Sequence, residues 1–156
     1  MKKIFAAIFT IMLLQAQVSA VTLPEGTVIV VQPQREIDAD EVKEGGTVNF
    51  HVLQPVKVNG QVVIKSGTEV IAQVVKKKNN FILGIPGEIQ VNNFQILTSD
   101  NEIIRLRGSI IDKGDSKYWA HVGWFFLLPL LFVKGNDGKI PVNTSHTLYT
   151  MENIEL

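Results

Sequence analysis

Residues 56–75 read VKVNGQVVIKSGTEVIAQVV, and this stretch decides the fold class. β-Branched residues, which favour strands, alternate there with two short polar breaks. Asn59-Gly60 is a strong signal for a two-residue hairpin turn, because both residue types tolerate the positive φ angles of a type I′ turn. Ser66-Gly67 is a weaker signal of the same kind. The stretch therefore predicts three short strands joined by two tight turns.

The same alternation of apolar and polar residues continues on both sides of this stretch. In residues 88–97 the apolar phase shifts by one residue at Asn92-Asn93, which predicts a β-bulge. Almost no segment has the 3.6-residue periodicity of a helix. Further strands are expected at 27–32, 47–54, 88–97, 102–111 and 143–151. We therefore expect an all-β domain over residues 21–156, a small barrel or sandwich of about seven strands.

Three stretches between the strands are expected to be irregular. The acidic residues 36–45 fit either one helical turn capped by Asp38 or a bare loop. The basic residues 76–80 are expected to form a polar loop at a hairpin tip. Residues 81–87 are apolar but contain Gly and Pro, so we expect them to cross the surface or cap one end of the core without forming a regular strand.

Residues 1–20 have the pattern of a secretory signal peptide. Lys2 and Lys3 precede an apolar run over residues 4–14, and Val18-Ser19-Ala20 provides the −3 and −1 positions of a cleavage site. The apolar run is shorter than the roughly 20 residues of a membrane-spanning helix. We therefore expect cleavage after Ala20 and an exported chain, periplasmic or peripheral to the envelope membrane. An uncleaved N-terminal anchor is the alternative.

The composition excludes several classes of site and partner. The chain contains no Cys, so it has no disulfide, no thiolate metal site and no lipid-modified Cys. Its 15 basic and 15 acidic residues balance, which gives no electrostatic reason to expect a nucleic-acid partner. Stability must therefore come from a hydrophobic core.

One turn recurs along the chain. LPEGT at 23–27, IKSGT at 64–68 and IPVNT at 140–144 each place Gly or Asn before a Thr that opens a strand. Gly and Asn adopt left-handed dihedral angles, and Thr favours strands. The spacing of the three copies is irregular, so the pattern indicates the reuse of one turn and not a solenoid.

These turns belong to a wider resemblance. Together with IDAD at 37–40, VNFHV at 48–52, VIKSGT at 63–68 and PGEI at 86–89, they resemble exported bacterial β-domain proteins without an assigned activity. The apolar-Pro-x-Gly-Thr turn within residues 23–75 is also similar to the periplasmic β-barrel of type IV secretion scaffold proteins. Both resemblances imply a β-domain, and neither carries catalytic or binding residues over to this chain.

No catalytic, cofactor-binding or metal-binding residue is predicted. His51, His121 and His146 fall on three separate elements, without the spacing of a metal motif. The carboxylates of residues 36–41 are suited to Ca²⁺, but a solvated or capped turn is the simpler interpretation. Arg105 and Arg107 share one face of a strand, which favours either an anion-binding site or an ordinary exposed sheet face.

Residues 118–133 read YWAHVGWFFLLPLLFV and are the one clear anomaly. Residues 122–133 carry no charge, but as a helix they would be about 18 Å long, against a hydrocarbon core of about 30 Å. Three interpretations remain: a lid on the core, an exposed patch that docks a protein, and a contact with a membrane surface. The residues expected to carry such a contact are Trp119, Trp124, Phe125, Phe126, Leu127, Leu128, Leu130 and Phe132.

These patterns predict a non-enzymatic, exported module of the cell envelope that needs no cofactor. Its expected partner is an envelope protein or another copy of the chain, bound through residues 118–133, with a membrane surface as a further alternative. The alternative function is a carrier that holds a small apolar ligand in a barrel mouth beneath that segment.

Overall fold

The structure, a computed structural model, describes residues 21–80, 85–98, 102–115 and 135–155, and these residues form strands joined by turns. The predicted signal peptide at 1–20 therefore lies outside the described residues. The strands are β1 (Thr22–Leu23), β2 (Val28–Pro33), β3 (Ile37–Asp38), β4 (Thr47–Val52), β5 (Val56–Val58), β6 (Gln61–Ile64), β7 (Glu69–Lys78), β8 (Glu88–Leu97), β9 (Ile103–Arg107), β10 (Ile110–Lys113), β11 (Lys139–Ile140), β12 (His146–Thr150) and β13 (Ile154–Glu155).

Six strands close into an antiparallel barrel. Their order is β8-β7-β4-β2-β12-β9, and a further pairing of β8 with β9 completes the circle. Strand β10 pairs with β8 outside this circle. The predicted all-β fold of about seven strands is confirmed, and the structure decides in favour of a barrel over a sandwich.

The barrel interior is built by the predicted alternation along the strands. In β4, Val48, Phe50 and Val52 are buried while the residues between them are more exposed. The rings of Phe50 and Phe94 meet edge to face at 5.4 Å in the centre of the core. Such aromatic pairs add about 1 kcal/mol beyond the area that they bury. Aliphatic side chains from every barrel strand surround this pair, so the barrel is filled by its own residues.

The predicted bulge in β8 divides that strand into two parts. Ile71 pairs with Gln95 and Gln73 with Asn92, so β8 contains one extra residue here, and Asn93 has a φ of 55°. The second half of β8 pairs with β9 inside the barrel, whereas the first half pairs with β10. The first half of β8, the end of β7 and β10 therefore form a three-stranded extension beyond the barrel.

The central stretch has the two predicted turns. Asn59 and Gly60 have φ angles of 51° and 82°, as a type I′ turn requires, and they join β5 to β6. Gly67 has a φ of 84° and precedes β7. The hairpin β5-β6 does not enter the barrel but forms its own two-stranded sheet, with Val56 and Ile64 buried.

The recurring turn is held by the same hydrogen bond in all three copies. The hydroxyls of Thr27, Thr68 and Thr144 each donate to the carbonyl three residues earlier, at 2.7, 2.8 and 2.7 Å. The backbone N–H of each Thr also points to that carbonyl. Thr therefore closes the turn with its hydroxyl, in addition to favouring the strand that follows.

Two predictions of irregular structure, at residues 36–45 and 76–80, are wrong in part. Residues 76–78 belong to β7 and not to a loop, because the first half of β8 gives them backbone partners and Glu88 binds the Lys76 ammonium at 3.2 Å. The acidic stretch contains neither a helical turn nor a bare loop at its start, because β3 pairs there with β11. Asp38 does cap the turn that follows, since its Oδ1 accepts the N–H of Asp40 at 2.9 Å.

Candidate functional site

The predicted contact segment, residues 118–133, lies outside the described residues, but the residues on either side of it are described. A Cβ placed on Gly114 would collide with the carbonyl oxygen of Asn136, and one placed on Gly135 would collide with that of Ile85. These collisions show that the backbones touch at both glycines. The chain therefore leaves at residue 115 and returns at residue 135 in the same place, at the end of the three-stranded extension.

A second apolar stretch starts from this place. Residues 81–84 read FILG and also lie outside the described residues. Of their neighbours, Asn80 is buried and its Nδ2 donates to the carbonyl of Gly135 at 2.9 Å, while Ile85 contacts Gly135 as described above. The attachment points of both apolar stretches are thus packed against one another.

A polar cleft surrounds these attachment points. Asp112 accepts the backbone N–H of Lys139 through Oδ2 at 2.8 Å, which joins β10 to the returning chain. The Lys139 ammonium in turn binds Asp38 at 2.6 Å. The side chains that line the cleft are those of Asn80, Asp112, Lys113, Asp115, Asp137 and Lys139. Paired charges and hydrogen bonds to the backbone therefore join the chain segments at the base of the apolar segment.

The Asp38–Lys139 pair perturbs both partners. The hydrogen bond from Lys139 lowers the pKa of Asp38 from its ordinary value, and the same bond raises the pKa of Lys139. The other charges of the acidic stretch are also engaged, since Glu36 lies 3.6 Å from Lys139 and Glu41 lies 3.8 Å from Arg35. Three of the carboxylates considered for Ca²⁺, those of Glu36, Asp38 and Glu41, thus face cations of the chain itself.

His51 and His146, the two histidines among the described residues, do not converge. His51 lies opposite Gln32 of β2, and His146 lies opposite Val31 of the same strand. Val31 and Gln32 are adjacent, and adjacent residues of a strand point to opposite faces of the sheet, so the two histidines do so as well. His146 stacks edge to face on Phe50, and burial lowers its pKa. His121 lies outside the described residues. Within residues 21–80, 85–98, 102–115 and 135–155, no three His, Cys, Asp or Glu side chains are grouped to hold a metal ion.

A groove on the outer surface contains one residue that the sequence had indicated and several that it had not. Arg105, one of the two candidate anion-binding residues, lines it together with Gln73, Asn93 and Gln95. Gln73 and Gln95 were missed because neither interrupts the apolar–polar alternation of its strand. The register places Gln95 opposite Arg105, and the bulge at Asn93 was the only local signal.

Comparisons with known proteins give this chain no family. No protein-family model matches the chain, and no curated protein matches it. The resemblance to exported bacterial β-domain proteins therefore stays a prediction. Among the residues that the structure describes, no helix is both long enough and apolar enough to cross a bilayer.

Proposed function

We propose that the chain is a non-enzymatic, exported module of the cell envelope, and that it binds its partner through residues 118–133. The partner is an envelope protein, a second copy of the chain or the membrane surface. Residues 1–20 direct export. The barrel serves as the rigid body from which the apolar segment is presented.

One observation supports this proposal above the others. The described residues nearest to the two apolar stretches, 81–84 and 118–133, pack against one another at one end of the molecule. The longer stretch, 118–133, contains both Trp residues of the chain and no Lys, Arg, Asp or Glu. An apolar insertion with its two ends fixed together is an economical way to present a contact surface, because the ordering entropy of its base is already lost.

The filled barrel favours an interaction module over the carrier. Phe50, Phe94 and the aliphatic residues around them occupy the interior of the barrel. A small-molecule carrier needs an apolar cavity of about 300–1000 Å³ that buries most of its ligand. The described barrel interior is instead packed with side chains.

The charges near the attachment points suit a surface contact. Lys78 and Lys113 are exposed on β7 and β10, the two strands that flank β8 in the extension, beside the places where the apolar stretches begin. Lys117 and Lys134 flank the apolar segment in the sequence. Cations beside Trp and Phe are typical of segments that reach an anionic membrane surface.

The test compares the chain without residues 1–20 with a triple variant, Phe125→Ser, Phe126→Ser and Leu127→Ser. Vesicle flotation on anionic lipid, size-exclusion with light scattering, and crosslinking to envelope extracts are measured for both. We expect the unmodified chain to float, self-associate or crosslink, and the triple variant to lose that behaviour while its urea unfolding midpoint is unchanged.

A matched control removes apolar side chains elsewhere. Leu97 and Ile103 are exposed, at 55% and 48%, and face each other across β8 and β9. The double variant Leu97→Ser, Ile103→Ser should keep the contact. If the unmodified chain is a monomer that neither binds vesicles nor crosslinks, the proposal is refuted. It is also refuted if the triple and the double variant lose binding equally. A large drop in stability of the triple variant alone would identify the segment as core.

A further inference from the structure

The outer surface of β7, β8 and β9 carries a groove of about 430 Å³. This volume lies in the range of small-molecule sites, about 300–1000 Å³. One row of side chains crosses the groove, because Ile71 pairs with Gln95, Gln95 pairs with Arg105, and the N–H of Met151 donates to the carbonyl of Arg105. The residues that supply its chemistry are Ile71, Gln73, Asn93, Gln95, Arg105 and Met151.

The bulge of β8 shapes this groove. Asn93 sits at a φ of 55°, a conformation that non-glycine residues rarely adopt, and its Nδ2 donates to Oε1 of Gln73 at 2.9 Å. Bulges bend a strand and re-aim side chains, and they are frequent beside functional sites. The hydrogen bond uses the amino group of Asn93 and leaves its Oδ1 pointing away from Gln73. The bulge thus fixes two amides side by side.

The groove has unused hydrogen-bonding capacity. Within the described residues, the side-chain amide of Gln95 has no hydrogen-bond partner. A side-chain amide offers two donors and one acceptor oxygen. The Gln95 amide can therefore both donate to and accept from a ligand, and the free oxygen of Asn93 can accept a hydrogen bond from it.

The charge of the groove is positive. Among the described residues, the Arg105 guanidinium pairs with one carboxylate, that of Glu152 at 3.5 Å, and both side chains are more than half exposed. Arg107 lies two residues further along the same face, and its guanidinium has no partner among the described residues. Arg107 does not line the groove, so Arg105 is the one charged side chain among the residues that line it, and its partner Glu152 stands outside that lining. Guanidinium groups bind carboxylates with two parallel hydrogen bonds, so the surplus charge favours a ligand with a carboxylate.

From these features we infer that the groove binds a carboxylate-bearing saccharide. Arg105 takes the carboxylate, and the amides of Gln95 and Asn93 take the hydroxyls, which donate and accept as amides do. Ile71 and Met151, exposed at 41% and 50%, cover the C–H face of a sugar ring. This site is separate from residues 118–133, and the inference does not rest on the proposed function.

The test uses the chain without residues 1–20 and titrates it with a galacturonate trisaccharide, with the neutral galactose trisaccharide, and with inorganic phosphate. We expect the acidic trisaccharide to bind at least tenfold more tightly than the neutral one. Arg105→Gln should remove this tenfold preference and leave the affinity for the neutral sugar within twofold. Gln95→Leu should lower the affinity for both trisaccharides at least threefold.

The control is Arg35→Gln. Arg35 is also an exposed arginine in a long ion pair, 3.8 Å from Glu41, but it lies outside the groove. This variant should keep both affinities within twofold. Equal binding of the two sugars, no saturable binding of either, equal weakening by Arg35→Gln, or phosphate binding as tightly as the acidic sugar would each overturn the inference.

Discussion

The buried hydroxyl of Thr150 links the last barrel strand to the first turn, and its removal gives the most direct test of the fold. Thr150 is fully buried. Its Oγ1 donates to the carbonyl of Pro24 at 2.7 Å and accepts the backbone N–H of Thr27 at 2.9 Å. The substitution Thr150→Val replaces the hydroxyl by a methyl of similar size, so it removes both hydrogen bonds without opening a cavity.

The expected loss follows from these two bonds. Each hydrogen bond contributes about 1 kcal/mol net, so Thr150→Val should lower the free energy of unfolding by about 2 kcal/mol. The cost stays near this value because the carbonyl of Pro24 keeps one hydrogen bond, which it accepts from the hydroxyl of Thr27 at 2.7 Å. Thr150→Ser keeps both bonds and removes one buried methyl, which should cost about 1 kcal/mol.

Equilibrium unfolding in urea measures these losses for the chain without residues 1–20. With a slope of about 2 kcal/mol per M, the midpoint of Thr150→Val should fall by about 1 M. Thr147 lies on the same strand but is exposed, so Thr147→Val should change the free energy by less than about 0.5 kcal/mol. If Thr150→Val costs no more than Thr147→Val, the assigned role of the buried hydroxyl is wrong.

Two further predictions concern the base of the apolar segment. Gly114→Ala should lower the free energy of unfolding by about 1–3 kcal/mol, because the new Cβ collides with the backbone of Asn136. Asp115→Ala, at the exposed neighbouring position, should be nearly neutral in the same urea assay. Because Lys139 lowers the pKa of Asp38, this carboxylate stabilises the fold above its unfolded pKa, and the contribution is lost as the pH falls through its folded pKa. In the Asp38→Asn variant, the free energy of unfolding should therefore fall less steeply as the pH is lowered into the acid range. A pH dependence identical to that of the unmodified chain would contradict this.

Part of the fold and very little of the candidate groove could be predicted from the sequence. The alternation in residues 47–52 and 88–97 identified the buried faces, because a strand repeats every two residues. The groove needs Gln73, Gln95 and Arg105 side by side, and they come from three strands. Their positions depend on register, and alternation within one strand does not specify the register between two strands.

By itself, the sequence determined what depends on neighbours along the chain: the strand pattern, the turn at Asn59-Gly60, and the bulge at Asn93. Tertiary structure alone decided which strands pair and so closed the barrel, placed residues 76–78 in β7, and paired Asp38 with Lys139. The reason is physical. Dihedral preferences and side-chain alternation act over a few residues, whereas strand pairing and the packing at Gly114 and Gly135 join residues far apart in the chain.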